Sequence, residues 1–202
     1  MTRKNPQSSA APAPYRGAAA ELWRWLCTAY LKAGGWRMDG DWPAHLPKMV
    51  LVAAPHTSNW DGVNMLAAAG YYRVPLKWMG KKELTEGPFG GVVRWLGCVP
   101  VDRSGKGDLV AETAAHMRAA ETMVLAVAPE GTRAKSPGWK TGFYYIALAA
   151  GVPIVMSVLD YGAKRISIAG SVTPSGNYEA DIAAIKAAYA GARGKYNDRV
   201  AQ

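Results

Sequence analysis

In the run His56-Thr57-Ser58-Asn59-Trp60-Asp61 an imidazole and a carboxylate stand five positions apart. Such a pair can act as a base with an orienter. The carboxylate holds one ring N–H and fixes the tautomer, and the other ring nitrogen can take a proton from a hydroxyl. The spacing constrains how they meet. Five residues of regular helix rotate by roughly 500°, which leaves the two side chains about 140° apart. Meeting therefore requires a turn that carries His56 and a helix whose first turn carries Asp61, with Ser58 or Asn59 as N-cap. A carboxylate there also suits the positive end of the helix dipole. Taken alone, the spacing equally fits a capped turn with a solvated histidine.

Two further stretches carry charge in a useful order. Pro129-Glu130-Gly131-Thr132-Arg133, with Lys140 seven residues later, puts a carboxylate, a turn-permitting glycine and two cations together. They could clamp an anionic headgroup, with Glu130 holding a polar group or orienting an arginine. They also fit a turn with one salt bridge. Gly97-Cys98-Val99-Pro100-Val101-Asp102-Arg103 offers Arg103, whose planar fork suits phosphate or carboxylate. An Asp-Arg surface pair is the plain alternative.

These residues need elements to hold them. Three short apolar runs, 49–54 (MVLVAA), 123–128 (MVLAVA) and 152–159 (VPIVMSVL), have the pattern of strands buried on both faces of a parallel sheet. Residues 76–80 and 98–101 read as further strands, and 166–170 as a weaker one. Helical patterns lie at 60–72, 88–96, 107–120, 142–150 and 178–192. The alternation predicts an α/β fold, a single domain over 17–202 with a mixed, mostly parallel sheet flanked by helices. The first and second of the three runs end at Pro55-His56 and Pro129-Glu130. In open α/β sheets ligands bind outside the carboxyl ends of strands, so His56 and Glu130 fall where such a fold puts its chemistry.

Residues 17–33 read as an N-terminal amphipathic helix. Glu21, Arg24, Thr28 and Lys32 form a narrow polar stripe, and Leu22, Trp25, Leu26, Ala29 and Tyr30 the wide apolar face. The helix either packs on the core or lies in a membrane interface. Residues 1–16, polar and rich in Pro and Ala, read as a disordered tail. No run supplies the roughly 20 apolar residues of a spanning helix.

Composition narrows the partners. Lys plus Arg is 24 against 15 acidic residues, for a net charge of +9, which attracts lipid headgroups, coenzyme A phosphates, an acidic carrier protein or nucleic acid. The two cysteines, Cys27 and Cys98, form no C-x-x-C pair and point to a reducing, cytoplasmic setting. Three scattered histidines without H-E-x-x-H speak against a metal hydrolase; His45 reads as a loop residue and His116 as helix surface. A serine hydrolase would need a G-x-S-x-G elbow, and a nucleotide binder a phosphate loop that Gly105-Lys106-Gly107 does not complete. Eight tryptophans could stack on bases, but most lie within expected elements, and no nucleic-acid motif is present.

With HTSNWD at 56–61, GCVPVDR at 97–103, PEGTR at 129–133 and GVPIVMSV at 151–158 in this order, the chain resembles the bacterial 1-acyl-glycerol-3-phosphate acyltransferases, within the wider glycerolipid acyltransferases. It departs from their pattern at Ala134, Trp139 and Met156, where that family often has a hydroxyl residue, Phe and Pro. The resemblance implies His56 and Asp61 as the catalytic pair. It implies Arg103 and the Glu130–Arg133 turn, with Gly131 and Thr132, as contacts to the acceptor's phosphate; Lys140 adds charge beside them. The implied activity is transfer of a fatty acyl group from a thioester, on coenzyme A or acyl-carrier protein, to the free hydroxyl of a lysophospholipid. Another lyso-lipid acceptor, or a non-enzymatic basic lipid binder, are the alternatives. No metal and no cofactor beyond the thioester co-substrate are expected. The implied place is the cytoplasmic face of an anionic membrane, bound peripherally.

Overall fold

The computed structural model describes residues 17–101 and 108–200. The expected tail, 1–16, and Arg103 lie outside the described residues. The chain runs α1 (Gly17–Ala33), β1 (Arg37–Asp39), β2 (Lys48–Ala54), α2 (Asn59–Tyr72), β3 (Leu76–Lys81), α3 (Lys82–Glu86), α4 (Gly90–Trp95), β4 (Cys98–Val101), α5 (Leu109–Ala119), β5 (Met123–Val127), α6 (Gly142–Ala150), β6 (Ile154–Asp160), β7 (Arg165–Val172) and α7 (Tyr178–Ala187). A short 3-10 turn follows at Asn197–Arg199.

The strands form one sheet in the order β1-β7-β6-β2-β5-β3-β4. Strands β2 to β6 are mutually parallel where they pair; β7 runs antiparallel to β6, and β1 parallel to β7. The mixed, mostly parallel α/β sheet expected from the apolar runs is the sheet observed. Its core shows why those runs do not alternate. Val50 and Val52 of β2 face one way, with Leu125, Ile154 and Met156, onto Met117, Phe143, Tyr144, Ile146 and Ile185 of α5, α6 and α7. Met49 and Leu51 face the other way, with Val124, Ala126 and Val155, onto Ala69 of α2. A central strand covered on both faces needs apolar residues at every position.

Helix α1 packs along α2 through Cys27 and Leu31, which meet Ala67 and Ala68. Gly70 permits the approach: a Cβ there would overlap the Cys27 sulfur. The buried stripe of α1 is thus Ala20, Cys27 and Leu31. The wider apolar face, with Leu22 at 59%, Trp25 at 63% and Leu26 at 47% exposure, points away from the core. The helix is packed on the core as one of the two readings expects, but through Ala20, Cys27 and Leu31 and not through the wide apolar face. Small residues on both helices make the tighter seam, and bulky Trp and Leu are left outside. Helix α7 ends at Ala187, short of the expected 192.

Two elements had no sequence signal. Strand β1 is three residues long with an exposed–intermediate–exposed pattern. Helix α3 begins directly where β3 ends.

Candidate active site

Strands β2 and β5 lie side by side in register, Val52 against Val127, so the loops that leave their carboxyl ends are neighbours. The first loop carries His56 and the second Glu130. Ser58, in extended conformation, caps α2; its Oγ accepts from Trp60 N–H at 3.1 Å. Asp61, at the third helical position, reaches back to the cap. Its Oδ2 accepts the N–H groups of Thr57 at 2.6 Å and Ser58 at 2.7 Å. The capping box folds the loop so that His56 Nδ1 stands 3.3 Å from the same Oδ2. The turn-then-helix arrangement required by the five-residue spacing is the one found.

Asp61 is 4% exposed and densely held. Its Oδ1 accepts from Ser58 Oγ at 2.9 Å and from the Tyr161 hydroxyl at 2.7 Å. Burial alone would raise its pKa. The contacts from His56, Tyr161 and Ser58 outweigh burial and hold the carboxyl below its ordinary value. Asp61 thus stays ionised beside the histidine. Tyr161 in turn is pushed well above the usual phenol range by burial and by Asp61, so it remains a neutral donor. The chain of contacts continues: Asn64 Nδ2 donates to the Tyr161 oxygen at 3.1 Å, and Tyr30 of α1 donates to Asn64 Oδ1 at 3.1 Å. Tyr161 also meets Trp36 edge-on, with ring centroids 4.9 Å apart.

Glu130 lies 3% exposed and turns inward. Its Oε1 accepts the backbone N–H of His56 at 3.0 Å, and its Oε2 has no partner among the described residues. Burial pushes its pKa up, against the lowering pull of backbone N–H groups, including that of His56. Glu130 also borders a cavity of about 140 Å³ with Pro55, Trp139 and Tyr189.

The other expected residues are placed as follows. Gly131 adopts φ 65°, the left-handed turn that glycine allows, and the stem of Lys140 packs over it. Lys140 N–H donates to the Pro129 carbonyl at 2.7 Å, which closes the loop back on itself. Thr132 Oγ1 accepts from Ala134 N–H at 3.2 Å. Arg133 is exposed and lines a cleft of about 300 Å³ with Thr57, Ser58, Asn59 and Trp60. His56, Asp61, Glu130 and Arg133 are brought together; Lys140 sits beside them over the Gly131 turn. His45 lies in an exposed loop and His116 on the exposed side of α5. Among the described residues there is no cluster of three or more His, Cys, Asp or Glu that could hold a metal ion.

Sequence reasoning missed Tyr161, Asn64, Tyr196 and Arg199. Tyr161 is 100 residues from Asp61, and Tyr196 is 139 from Thr57. No local spacing marks them; only the position of Tyr161 just past the carboxyl end of β6, the neighbour of β2, was a usable sign.

The arrangement can do one kind of chemistry directly. An ionised Asp61 against Nδ1 fixes the imidazole with its Nε2 bare, and Nε2 makes no hydrogen bond among the described residues. The histidine side chain is 23% exposed, enough for a hydroxyl to reach it.

The chain is similar to known proteins. The chain is 32% identical over 122 residues to the 1-acyl-sn-glycerol-3-phosphate acyltransferase of Escherichia coli (strain K12), and 31% identical to that of Salmonella typhimurium. Each match covers 57% of this chain and 48% of the relative, so the chain spans about half the length of the curated relatives it matches. The crystal structure of the 1-acyl-sn-glycerophosphate (LPA) acyltransferase, PlsC, from Thermotoga maritima superposes with a TM-score of 0.57 at 18% identity, over 84% of this chain and 75% of that one. It shares the fold. The family model described as Acyltransferase matches residues 43–159, the stretch that holds His56, Asp61, Glu130 and Arg133, and by that match over more than half its length the protein belongs to the acyltransferase family.

Proposed function

We propose that the protein transfers an acyl group from a thioester to the free hydroxyl of a lysophospholipid, with 1-acyl-glycerol-3-phosphate as the acceptor that fits best. The observation that carries this is the ionised, four-donor Asp61 set 3.3 Å from His56 Nδ1, at the strand ends beside the Arg133 cleft. The acceptor hydroxyl gives its proton to His56 Nε2 as its oxygen bonds to the thioester carbonyl carbon. Asp61 offsets the imidazolium charge that forms. The tetrahedral intermediate then collapses, the C–S bond breaks, and the departing sulfur takes the proton back from His56. The products are an ester and a free thiol.

Direct transfer needs no enzyme nucleophile, and the candidates are poorly placed to be one. Ser58 Oγ donates to Asp61 and accepts from Trp60 N–H. Both cysteines are buried; burial pushes Cys27 up to about 11 and raises Cys98 as well. Arg133, and Arg103 by resemblance, are the contacts proposed for the acceptor's phosphate. The donor is coenzyme A or an acyl-carrier protein.

The acceptor carries an acyl chain, so the enzyme must meet a membrane. No helix among the described residues is long and apolar enough to cross one. Leu22, Trp25 and Leu26 of α1 are exposed, as are Phe89, Val92 and Trp95 in and beside α4, and Trp23 and Trp95 touch edge to face at 6.1 Å. Together with the +9 net charge these support peripheral docking on an anionic surface, at the inner face of the cell membrane.

One experiment tests the reaction. Purified protein is given one labelled thioester and a panel of acceptors: 1-acyl-glycerol-3-phosphate, lysophospholipids with capped phosphate, and lyso-aminolipids. The products are identified by mass spectrometry. Acylated 1-acyl-glycerol-3-phosphate with no protein-bound acyl group is the expected result. Hydrolysis alone, or a stoichiometric acyl-protein, would replace the scheme.

A further inference from the structure

The segment after α7 crosses back over the catalytic turn, beyond the stretch that the family model matches. Arg193 is tied to the end of β6 in both directions: its N–H donates to Asp160 Oδ1 at 3.2 Å, and its carbonyl accepts from Tyr161 N–H at 2.8 Å. Gly194 is buried against Thr57, close enough that a Cβ would come within 2.7 Å of Thr57 Cγ2. Tyr196 N–H donates to Thr57 Oγ1 at 3.2 Å, and Lys195 Nζ sits 5.0 Å from the centre of a Trp60 ring. The Arg199 guanidinium then lies over the Tyr196 ring at 4.5 Å.

These contacts build one wall of the cleft of about 300 Å³ that Arg133 lines; Tyr196 and Arg199 form it, and the Thr57–Trp60 turn is the floor. The cleft therefore has two guanidinium groups from distant parts of the chain, one from the turn after β5 and one from the terminal segment. Among the described residues no carboxylate lines it. Neither guanidinium forms an ion pair among the described residues. Stacking on Tyr196 limits the freedom of Arg199, so less order is lost when it closes on an anion. The floor is the amino end of α2, a 14-residue helix. Two planar forks facing a small polar cleft suit a phosphate group.

We propose that residues 193–200 form a strap that completes a phosphate-monoester site, with Arg199 as its second cationic contact beside Arg133 in the same cleft. The substrate identity rests on the acyl-transfer reading; the phosphate site itself does not. In a glycerol phosphate acceptor the phosphoester oxygen and the reacting hydroxyl are on neighbouring carbons. A phosphate cleft whose floor begins at Thr57, next to His56, matches that short separation. Phosphates on a coenzyme A donor present the same chemistry, and the test separates the two sources.

The test uses the full chain as wild type, Arg199→Ala, Arg199→Lys and, as a charge control distant from the cleft, Lys77→Gln. Binding of glycerol 3-phosphate is measured by calorimetry or NMR titration, with thermal melting to confirm the fold. Arg199→Ala should bind about ten- to a hundredfold more weakly, Arg199→Lys should recover part of the loss, and Lys77→Gln should match wild type. In turnover, a raised KM for the lysophospholipid at unchanged KM for the thioester assigns the phosphate to the acceptor. The reverse pattern, abolished when acyl-carrier protein replaces coenzyme A, assigns it to the donor. Absence of binding by wild type, unchanged binding by folded Arg199→Ala, or an equal loss in Lys77→Gln overturns the strap site. Arg199-dependent phosphate binding in a protein that transfers no acyl group keeps the site and removes the proposed reaction.

Discussion

Replacing Asp61 with asparagine separates what its charge does from what its shape does. The carboxylate accepts two backbone N–H groups through Oδ2 and two hydroxyls through Oδ1. Backbone donors cannot turn round, whereas hydroxyls can. The amide therefore keeps its oxygen at the Oδ2 position and points its NH₂ at Ser58 and Tyr161. The two backbone bonds survive as neutral bonds, each roughly 1 kcal/mol weaker than a bond to a charge. Tyr161, whose oxygen already accepts from Asn64, loses its donor bond, worth about another 1 kcal/mol. The total is about 3 kcal/mol, or a fall in Tm of about 6–12 °C for a domain of this size. Catalysis suffers more. An amide oxygen can hold the Nδ1 proton, but nothing then offsets the imidazolium, and kcat/KM should fall about 10³–10⁴-fold. The pH dependence has a definite sign. Asp61 has a lowered pKa in the folded protein, so the unfolded chain binds its proton more tightly. Its contribution is full above the ordinary carboxylate value of about 3.9 and is lost as pH falls through the lower folded value, so the stability gap between wild type and Asp61→Asn should close there. Circular dichroism melts from neutral to acid pH and a labelled acyl-transfer assay read both quantities. A folded Asp61→Asn protein with kcat/KM within about threefold of wild type would refute the base assignment; an unchanged Tm would refute the role of the carboxylate in holding the turn.

His56→Ala should lower turnover by about 10²–10⁴-fold in a folded protein, checked by the same assay with a melting curve. Trp25→Ser on the outward face of α1 should weaken binding to anionic vesicles about tenfold or more in sedimentation, because a large apolar side chain contributes about 1.5–3 kcal/mol on burial; wild-type binding should also fall as salt rises, and indifference to both changes would count against peripheral docking. Gly97→Ala should cost about 2–4 kcal/mol by urea denaturation, since Gly97 has φ 92° and a Cβ there would overlap the Leu76 carbonyl oxygen. A shift of the urea midpoint too small to measure would show that the loop before β4 yields freely.

The sheet was legible because its central strands are covered on both sides. Runs such as Met49–Ala54 have no polar partner to hide, and continuity of apolar residues is what survives in the sequence. Strand β1 was illegible for the opposite reason: Arg37, Met38 and Asp39 bury little and lie at the sheet edge. That α1 packs on the core was legible, but not the stripe it uses, because hydrophobicity marks a face without saying what covers it, and the seam runs through Ala20, Cys27 and Leu31. In the site, His56 and Asp61 were legible since five residues of chain and a capping box decide their meeting. The buried role of Glu130, as acceptor for the His56 N–H, was not, since it depends on β5 lying against β2. Tyr161 and Arg199 depend on still longer closures, which carry no period in the sequence.

The hydrogen bond from His56 N–H to Glu130 Oε1 has a consequence for anyone recombining such enzymes. It spans 74 residues of chain and ties the backbone of the His56 loop to a side chain of the Pro129–Arg133 turn. Neither block can be relocated by even an ångström without the other following. Shortening Glu130 by one methylene, as aspartate, withdraws the acceptor from the histidine backbone although both chemical types remain. The two blocks behave as a single cassette: a chimera that imports one of them from a relative must import the other, together with the pairing of the two strands that deliver them.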